Sequence, residues 1–475
     1  MTIGDEALTL NGDGISSGGA LRNVSGANIY GGSVTLATSA RINADSGTSL
    51  TLNKATAISS TNIGLTIGGS GDTTVSGIVA LGSGTLTKDG SGSLGLTAAN
   101  TYTGATTVSN GTLTIQNATG LGTTAAGTTV ASGATLSLLN VTVGAENLTL
   151  NGGRLVIAAG TSSLSGTITL GATSEVGVWG TELTLSGVIS GTNFGITKTG
   201  TGILILSGSN SYTGVTTISA GTLSVGTLAN GGSNSNIGAS TNVAGNLVIN
   251  GGTLKYTGGV VTTDRLFTVG ANGATIDSSG TGALTFGNAG SLATTATSSP
   301  ALTLTGSANG TLTPVFANPA TSGASSLTKS GTGTWTLSGA NTYTGGTTIA
   351  LGTLKVGHAT ALGGNAGAVS VTSGAVLDLN GITMTGTNAL TLNGTGISFG
   401  GPLTNSNSTS GTYAGAITLV ATASSLGGTN GDITLSGVIS GSTGLTKIGS
   451  NTLTLSGVNT YTGTTNIAGG ILTIS

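Results

Sequence analysis

Residues 327–354 have the sequence LTKSGTGTWTLSGANTYTGGTTIALGTL, which contains one charged residue, Lys329, and a glycine every few positions. In segments such as TWTLSG, apolar residues alternate with threonine or serine, so the apolar side chains of an extended chain share one face. The alternating segments are short and end at glycine, which accepts the backbone conformations that tight corners need. This stretch therefore predicts short β-strands joined by sharp turns.

The same 30-residue unit, called the box here, occurs four times. Every copy begins with Leu or Ile followed by Thr-Lys, continues through Asn-Thr/Ser-Tyr-Thr-Gly, and contains Gly-Thr/Ile-Leu near its end; the copies lie at 86–115, 196–225, 327–356 and 445–474. A second phrase is also repeated, as LTLNGDGISSGGALRN at 8–23 and LTLNGTGISFGGPLTN at 390–405. Phrases that recur in a fixed order with variable spacers indicate an array of structural units rather than separate domains.

The composition excludes several classes of protein. Only 5% of the 475 residues are charged, 89 are glycine, and 36% are hydrophobic, which fits many short strands better than a disordered chain. The net charge of -2 and the absence of a basic stripe argue against nucleic acid as a partner. No apolar run approaches the ~18 residues of a membrane helix, so we expect no membrane insertion by this segment. The absence of cysteine is compatible with an exported chain.

Two architectures suit short strands with glycine corners. A series of β-sandwiches would need linkers, and no change of composition along the chain marks one. A right-handed parallel β-helix needs an apolar face on each strand and small corner residues, and we predict this all-β fold as one continuous elongated rod over residues 1–475. With roughly 20 to 25 residues per coil, the chain would make about 20 coils and a rod on the order of 100 Å long.

The box resembles the passenger-associated transport repeat, also called the autotransporter-associated β-strand repeat, of Gram-negative autotransporters. The likeness rests on Lys-x-Gly, Asn-Thr/Ser-Tyr-Thr-Gly and Gly-Thr/Ile-Leu recurring in fixed order in all four copies. It implies a β-helical passenger that is exported to the cell surface, with the repeat assisting secretion or passenger folding. The N-terminal sequence MTIGDEALTLNGDG has no signal-peptide pattern, and we expect the chain to be a piece of a longer array.

Three box positions are predicted to be structural. The lysines are expected to be solvated turn residues that discourage wrong edge pairing, the asparagines to bond the turn backbone before the tyrosine, and the tyrosines to pack at a corner with a backbone partner for the hydroxyl. These residues are Lys88, Lys198, Lys329 and Lys447; Asn100, Asn210, Asn341 and Asn459; and Tyr102, Tyr212, Tyr343 and Tyr461. Trp335 stands where the first box has Leu94 and is expected in the core.

No catalytic, cofactor or metal site is predicted. The 13 acidic residues are mostly far apart, whereas an enzyme acting on polysaccharides would need clustered carboxylates. Residues 14–18 and 396–400 match G-x-S-x-G, but a nucleophile elbow also needs a following helix and a histidine base, and the one histidine is His358. We interpret both matches as a consequence of composition.

The sequence thus predicts a non-enzymatic structural passenger, stalk or extracellular fibre segment, secreted or at the surface of a Gram-negative bacterium, with a role in adhesion, matrix or spacing. The expected partners are other copies of the chain, stacked end to end into filaments, and surface polysaccharide or other cell-surface components. The alternative is a polysaccharide-active enzyme on the same β-helix.

Overall fold

A computed structural model describes residues 1–295, 298–420, 423–428 and 430–475. The chain is an all-β parallel β-solenoid of about 21 turns, which confirms the predicted fold class. Within the described ranges there is no α-helix, and therefore none long and apolar enough to cross a membrane. Three single-turn 3-10 segments occur at Ile15–Ser17, Ala244–Asn246 and Ile397–Phe399.

The strands are short because a glycine or asparagine corner follows every few residues. In the first half of the chain they are β1 Thr2–Ile3, β2 Leu8–Gly12, β3 Leu21–Asn23, β4 Ala27–Tyr30, β5 Val34–Ala44, β6 Ser49–Leu52, β7 Thr56–Ser59, β8 Leu65–Gly69, β9 Asp72–Val75, β10 Ile78–Ala80, β11 Leu86–Lys88, β12 Ser93–Leu96, β13 Thr106–Val108, β14 Thr112–Ile115, β15 Thr128–Ala131, β16 Thr135–Leu138, β17 Thr142–Val143, β18 Leu148–Asn151, β19 Arg154–Ile157, β20 Thr161–Leu164, β21 Ile168–Ala172, β22 Ser174–Val178, β23 Glu182–Leu185, β24 Ile189–Ser190, β25 Ile196–Thr199, β26 Ile203–Leu206, β27 Thr216–Ile218 and β28 Thr222–Val225.

The second half has the same character. Its strands are β29 Leu247–Ile249, β30 Thr253–Tyr256, β31 Val261–Thr263, β32 Thr268–Val269, β33 Ala274–Ser278, β34 Leu284–Phe286, β35 Ala293–Thr294, β36 Ala301–Thr305, β37 Gly310–Leu312, β38 Ser326–Lys329, β39 Thr334–Leu337, β40 Thr347–Ile349, β41 Gly352–Val356, β42 Val369–Val371, β43 Ala375–Asp378, β44 Leu390–Leu392, β45 Leu403–Thr404, β46 Gly411–Tyr413, β47 Ile417–Leu419, β48 Ala423–Gly427, β49 Ile433–Leu435, β50 Ile439–Ser440, β51 Gly444–Ile448, β52 Thr452–Leu455, β53 Thr465–Ile467 and β54 Ile471–Ile474.

The chain divides into two compact units. The first comprises Met1–Leu223 and Ser233–Ser240, and the second comprises Ser224–Gly232 and Thr241–Ser475. That the whole chain forms one continuous rod stays a prediction.

In the first unit, the strands pair in parallel with strands of neighbouring coils. One face carries the order β4-β6-β9-β12-β14-β16-β19-β22-β25-β27, and a second carries β5-β8-β11-β13-β15-β18-β21-β24. Leu86 is in register with Thr106, and Thr106 with Thr128, so a coil takes 20 and then 22 residues at this point. Positions that match in successive coils therefore stack directly above one another.

The second unit repeats this arrangement. One face has the order β30-β33-β36-β38-β40-β42-β44-β47-β50, and another has β31-β34-β37-β39-β41-β43-β45-β48-β51-β53. Buried side chains of these coils form the core: Phe267, directly before β32, and Phe286 of β34, for example, contact each other with ring centroids 5.2 Å apart.

Trp335 is fully buried, as the alternation predicted. The residue in register with it one coil earlier is Gly310, and a Cβ there would lie 2.6 Å from the indole ring. The indole Nε1 donates a hydrogen bond of 2.9 Å to the carbonyl oxygen of Thr305. The large ring therefore occupies space that the preceding coil leaves free.

Candidate functional site

The four box lysines point into the core. Lys88 is 1% exposed and the other three are fully buried. The prediction that they are solvated turn residues is wrong, and strand alternation supplies the reason. In Leu86-Thr87-Lys88 the lysine lies two positions after the leucine, on the same inward face. In register, Lys88 stacks between Ile67 of the preceding coil and Val108 of the following one.

Each lysine ammonium finds its hydrogen bonds in the backbone of two coils. Lys88 Nζ donates to the carbonyl oxygens of Asp89 at 2.6 Å and Gly90 at 2.8 Å, in its own corner, and of Asn110 at 3.1 Å, 22 residues further on. The other three boxes repeat these bonds at 2.6 to 3.2 Å: Lys198 to Thr199, Gly200 and Ala220; Lys329 to Ser330, Gly331 and Leu351; and Lys447 to Ile448, Gly449 and Gly469. In the first three boxes, three acceptors match the three N–H donors of an ammonium group. Lys447 Nζ also lies 3.1 Å from a fourth acceptor, Asn451 Oδ1. We call this arrangement the lysine site.

Two opposing effects act on the pKa of the buried lysine ammonium. Burial lowers the pKa of Lys88, Lys198 and Lys329 to about 8, and burial also lowers the pKa of Lys447. The three carbonyl dipoles point their negative ends at Nζ and favour the charged form. With a pKa of about 8, the ammonium is mostly protonated at neutral pH, and it then joins two coils through charge-assisted hydrogen bonds.

Each lysine site requires a glycine 23 residues after its lysine in the sequence, because the backbone of that residue passes close to the ammonium group. Gly352 has φ 69°, and a Cβ on it would lie 2.4 Å from the Gly331 carbonyl oxygen and 2.9 Å from Lys329 Nζ. The equivalent glycines of the other boxes also have positive φ and equally close neighbours: Gly111, Gly221 and Gly470. The box keeps glycine here because its backbone passes directly over the ammonium group.

The box asparagines connect coils rather than closing their own turn. Asn100 Oδ1 accepts a hydrogen bond of 2.9 Å from the backbone N–H of Val79, one coil earlier, and its Nδ2 donates one of 2.7 Å to the carbonyl oxygen of Gly120, one coil later. Asn210 and Asn341 make the same two bonds, to Ile189 and Asn236 and to Phe316 and Ala361. Asn459 accepts from Ile439 at 2.9 Å. The prediction that the asparagines bond to their own turn is therefore wrong. We call a box asparagine that is hydrogen-bonded to the coils before and after it an asparagine clamp.

The box tyrosines pack inside the corners, as predicted, but with a different hydroxyl partner. Tyr102, Tyr212 and Tyr343 are fully buried and Tyr461 is half-buried. Each hydroxyl lies 2.6 to 2.8 Å from the threonine hydroxyl four residues later, in the pairs Tyr102–Thr106, Tyr212–Thr216, Tyr343–Thr347 and Tyr461–Thr465. The partner is a side chain rather than the expected backbone group, because the chain turns through one corner between the two residues.

The expected absence of a metal or catalytic cluster can be compared with the described residues. In the described ranges no group of three His, Cys, Asp or Glu residues is placed to hold a metal ion. Both G-x-S-x-G segments lie in 3-10 turns rather than in a strand-to-helix elbow, and His358 Nδ1 lies 3.1 Å from Thr360 Oγ1. What the box does is join successive coils through buried polar side chains.

Comparisons with known proteins support this picture. The family model for the passenger-associated-transport-repeat matches residues 86–115, 196–225, 327–356 and 445–474. Four segments of the chain, the boxes, are thus similar to this repeat family. Over 349 residues, or 71% of its length, it is 35% identical to the adhesin BmaC autotransporter of Brucella suis biovar 1 (strain 1330). The match covers 9% of that relative's length. No solved structure matches the chain.

These matches confirm the resemblance to autotransporter passengers with repeats that the sequence predicted. The matched ranges coincide with the four boxes, so the lysine sites and the asparagine clamps lie within the matched repeats. Sequence reasoning had missed the lysine site, although the signal was present in the alternation of Leu-Thr-Lys. It also missed the cross-coil role of the asparagines, which depends on the spacing between coils.

Proposed function

We propose that this chain is a non-enzymatic segment of a secreted or surface-displayed autotransporter passenger in a Gram-negative bacterium, acting as an adhesive stalk. The observation that carries the proposal is the combination of four coil-joining boxes with similarity to an adhesin autotransporter. Successive coils that are joined to one another hold their outer faces in a fixed geometry, which suits many weak contacts with another surface.

The boxes also favour folding in coil order during export. A lysine ammonium that leaves water needs all its hydrogen bonds replaced, and its third acceptor lies on the following coil. The asparagine clamp likewise needs the coils on both sides. Each finished coil therefore becomes stable when the next one docks on it, which would draw the emerging chain into the folded stack.

Surface display tests the adhesive role. The chain is placed between a signal peptide and an autotransporter translocator in a non-adherent Gram-negative host, and attachment to epithelial cells and to polysaccharide-coated surfaces is counted. We expect attachment above that of the same cells displaying an unrelated β-helical passenger at equal surface density. Equal attachment by both strains would contradict the proposed role.

The enzymatic alternative has its own readout. The purified chain is incubated with a panel of plant and bacterial polysaccharides, and new reducing ends and unsaturated products are measured. Because no described carboxylate cluster or histidine site is available, we expect neither product. Turnover of any polysaccharide would favour the enzyme.

End-to-end stacking of copies is a second proposal, derived from the sequence. Parallel strands at the end of a solenoid present unpaired backbone groups to which another copy could add. Electron microscopy over a concentration series distinguishes filaments from separate particles.

A further inference from the structure

A loop protrudes from the solenoid between Gly396 and Gly401 and carries an exposed aromatic side chain. It contains the 3-10 segment Ile397–Phe399, in which Ser398 has φ 49° and Phe399 has φ 62°. A bulky residue with positive φ is strained, because its Cβ crowds the backbone. Phe399 is nevertheless 79% exposed, so burial of its ring does not compensate for the strain.

The loop backbone does not require phenylalanine. The repeated phrase near the N-terminus forms the same loop between Gly14 and Gly19, with Ser16 at φ 51° and Ser17 at φ 56°. Both loops close through the same two hydrogen bonds, Gly18 N to Ile15 O and Gly19 N to Asp13 O in one, and Gly400 N to Ile397 O and Gly401 N to Thr395 O in the other, at 2.8 to 2.9 Å. Ser17 occupies the position of Phe399, so serine fits this conformation. The aromatic ring therefore needs an explanation outside the loop itself.

That explanation lies in two grooves on either side of the loop. One has a volume of about 410 Å³ and is lined by Phe399, Asn405, Asn430 and Ile448, among others. The other has a volume of about 400 Å³ and is lined by residues that include Thr334, Thr353, Lys355, Asp378 and Ile397. Gly400, Thr404 and Ser406 line both. We call the two together the Phe399 groove.

The Phe399 groove runs across the strands on the outer face of one sheet. Its lining residues extend from β39 to β51, and the sheet order between them is β39-β41-β43-β45-β48-β51. Five strand spacings of about 4.8 Å make this path about 24 Å long. An elongated ligand fits such a path better than a compact one.

The polar groups of the groove are charge-balanced and already fixed in position. Lys355 Nζ donates a hydrogen bond of 2.8 Å to Ser406 Oγ and lies 3.7 Å from Asp378 Oδ2. Asn430, which is exposed, donates from Nδ2 to the carbonyl oxygen of Ser406 at 2.8 Å. The paired charges favour an uncharged ligand with many hydrogen-bonding groups.

A saccharide meets these requirements, because its rings carry many hydroxyl groups and present C–H bonds on their faces. The C–H bonds on one face of a pyranose ring carry partial positive charge and are attracted to the negative face of an aromatic ring. The pre-positioned side chains of Lys355, Ser406 and Asn430 supply donors and acceptors for the hydroxyls. An extended peptide fits less well, because the groove floor consists of strands whose backbone groups are already paired with neighbouring coils, so it offers no edge for strand addition.

We propose that the Phe399 groove binds a linear, uncharged saccharide chain, with Phe399 stacked on one sugar ring. Lys355, Ser406 and Asn430 engage the hydroxyls of the neighbouring rings, and the buried carboxylate of Asp378 holds the Lys355 ammonium in place. This inference deepens the proposed adhesive function by naming a ligand class. It is tested on the purified chain in solution, so its failure is separable from failure of the display experiment.

The test measures binding of four probes by isothermal titration calorimetry: cellohexaose, chitohexaose and mannohexaose as uncharged chains, and hexagalacturonate as an anionic chain. We expect at least one uncharged probe to bind, and Phe399→Ser to weaken it about tenfold or more. Because Ser17 adopts the same conformation in the equivalent loop, this variant is expected to keep the circular dichroism spectrum and unfolding midpoint of the parent chain.

Two further variants make the result specific. Phe399→Tyr keeps an aromatic face and is expected to retain binding. Ile15→Ser removes an apolar side chain that is 93% exposed in the equivalent loop, and it is expected to change nothing. The proposal is overturned if no uncharged probe binds, if hexagalacturonate alone binds, or if Phe399→Ser binds as tightly as the parent chain.

Discussion

Lys329 and Leu351 are joined across two coils: the buried ammonium of Lys329 donates a hydrogen bond of 2.9 Å to the carbonyl oxygen of Leu351, 22 residues later. The same lysine also bonds to Ser330 and Gly331 in its own corner. A charged group is thus used as an internal connection in a chain that has very few charges. Its contribution to stability can be measured directly.

Replacing Lys329 with methionine should destabilise the solenoid. Methionine fills a similar volume but leaves the three carbonyl oxygens without their donor, at a cost of about 2 to 4 kcal/mol in the free energy of unfolding. The measurement is urea denaturation followed by circular dichroism. The matched control is Lys255→Met, which makes the same substitution at an outward position of β30 and should change stability by about 0.5 kcal/mol or less. Equal effects of the two substitutions would show that the lysine site contributes nothing specific.

Stability should depend on pH in the alkaline range. The folded pKa of Lys88, Lys198 and Lys329 is about 8, below the unfolded value of 10.5, so the unfolded chain binds more protons between these values. The lysine contribution to stability therefore rises as pH increases from 8 towards 10.5. Burial raises the pKa of Tyr102, Tyr343 and Tyr413 above 10, so their contribution is lost as pH rises beyond 10.

Together these groups predict a stability maximum near pH 10. Urea midpoints measured in half-unit steps from pH 7 to pH 11 would locate it, and Lys329→Met should reduce the rise on the alkaline side. A flat profile between pH 8 and pH 10 would mean that the carbonyl groups keep the buried ammonium fully protonated, contrary to this prediction.

The asparagine clamp predicts a graded effect. Asn341→Ala leaves the N–H of Phe316 and the carbonyl oxygen of Ala361 without partners in a buried corner, which should cost about 2 to 4 kcal/mol. Asn459→Ala removes the bond to the Ile439 N–H at a half-buried position and should cost about half as much or less. Hydrogen exchange at Phe316 and Ile439 would report the opening of each coil separately. A larger loss for Asn459→Ala than for Asn341→Ala would argue against the clamp.

Gly352 and Gly374 provide a test of the close approach over the lysine site. Both have positive φ, 69° and 82°, but a Cβ at Gly374 meets open space, whereas one at Gly352 lies 2.4 Å from the carbonyl oxygen of Gly331. Gly374→Ala should cost about 1 kcal/mol, the usual penalty for a left-handed residue. Gly352→Ala should cost clearly more, because the backbone above Lys329 must also shift. Thermal unfolding of the two variants measures both losses of stability. Similar losses would mean that the positive φ alone, and not the close approach to Lys329, causes the destabilisation.

The sequence predicted the parallel β-helix, the short strands and the buried position of Trp335, because these follow from local alternation and glycine corners. The same alternation places Lys329 inward, two residues after Leu327. Because lysine is rarely buried, the prediction nevertheless placed this side chain in solvent. The partners of Asn100 lie about 20 residues away on either side, and their identity depends on the exact length of two coils. No local pattern supplies that length.

The Phe399 groove was also beyond the reach of local patterns. The phrase shared by residues 8–23 and 390–405 identified a repeated segment but not a protruding loop. The non-glycine residues with positive φ in this loop are serine and phenylalanine, and neither residue type predicts a left-handed backbone conformation. The difference between Ser17 and Phe399 gains meaning only when the surface beside each loop is known.

Burial of the box lysines also affects how the chain meets digestive enzymes. Trypsin-like proteases cut after lysine or arginine, and the chain has 11 such residues. Five of them are 2% exposed or less: Lys88, Lys198, Lys329, Lys447 and Arg265. Nearly half of the tryptic sites of the chain are thereby hidden inside its coils. Each box becomes a cleavage point only when its own coils separate, so limited tryptic digestion reports, box by box, which part of the solenoid has opened.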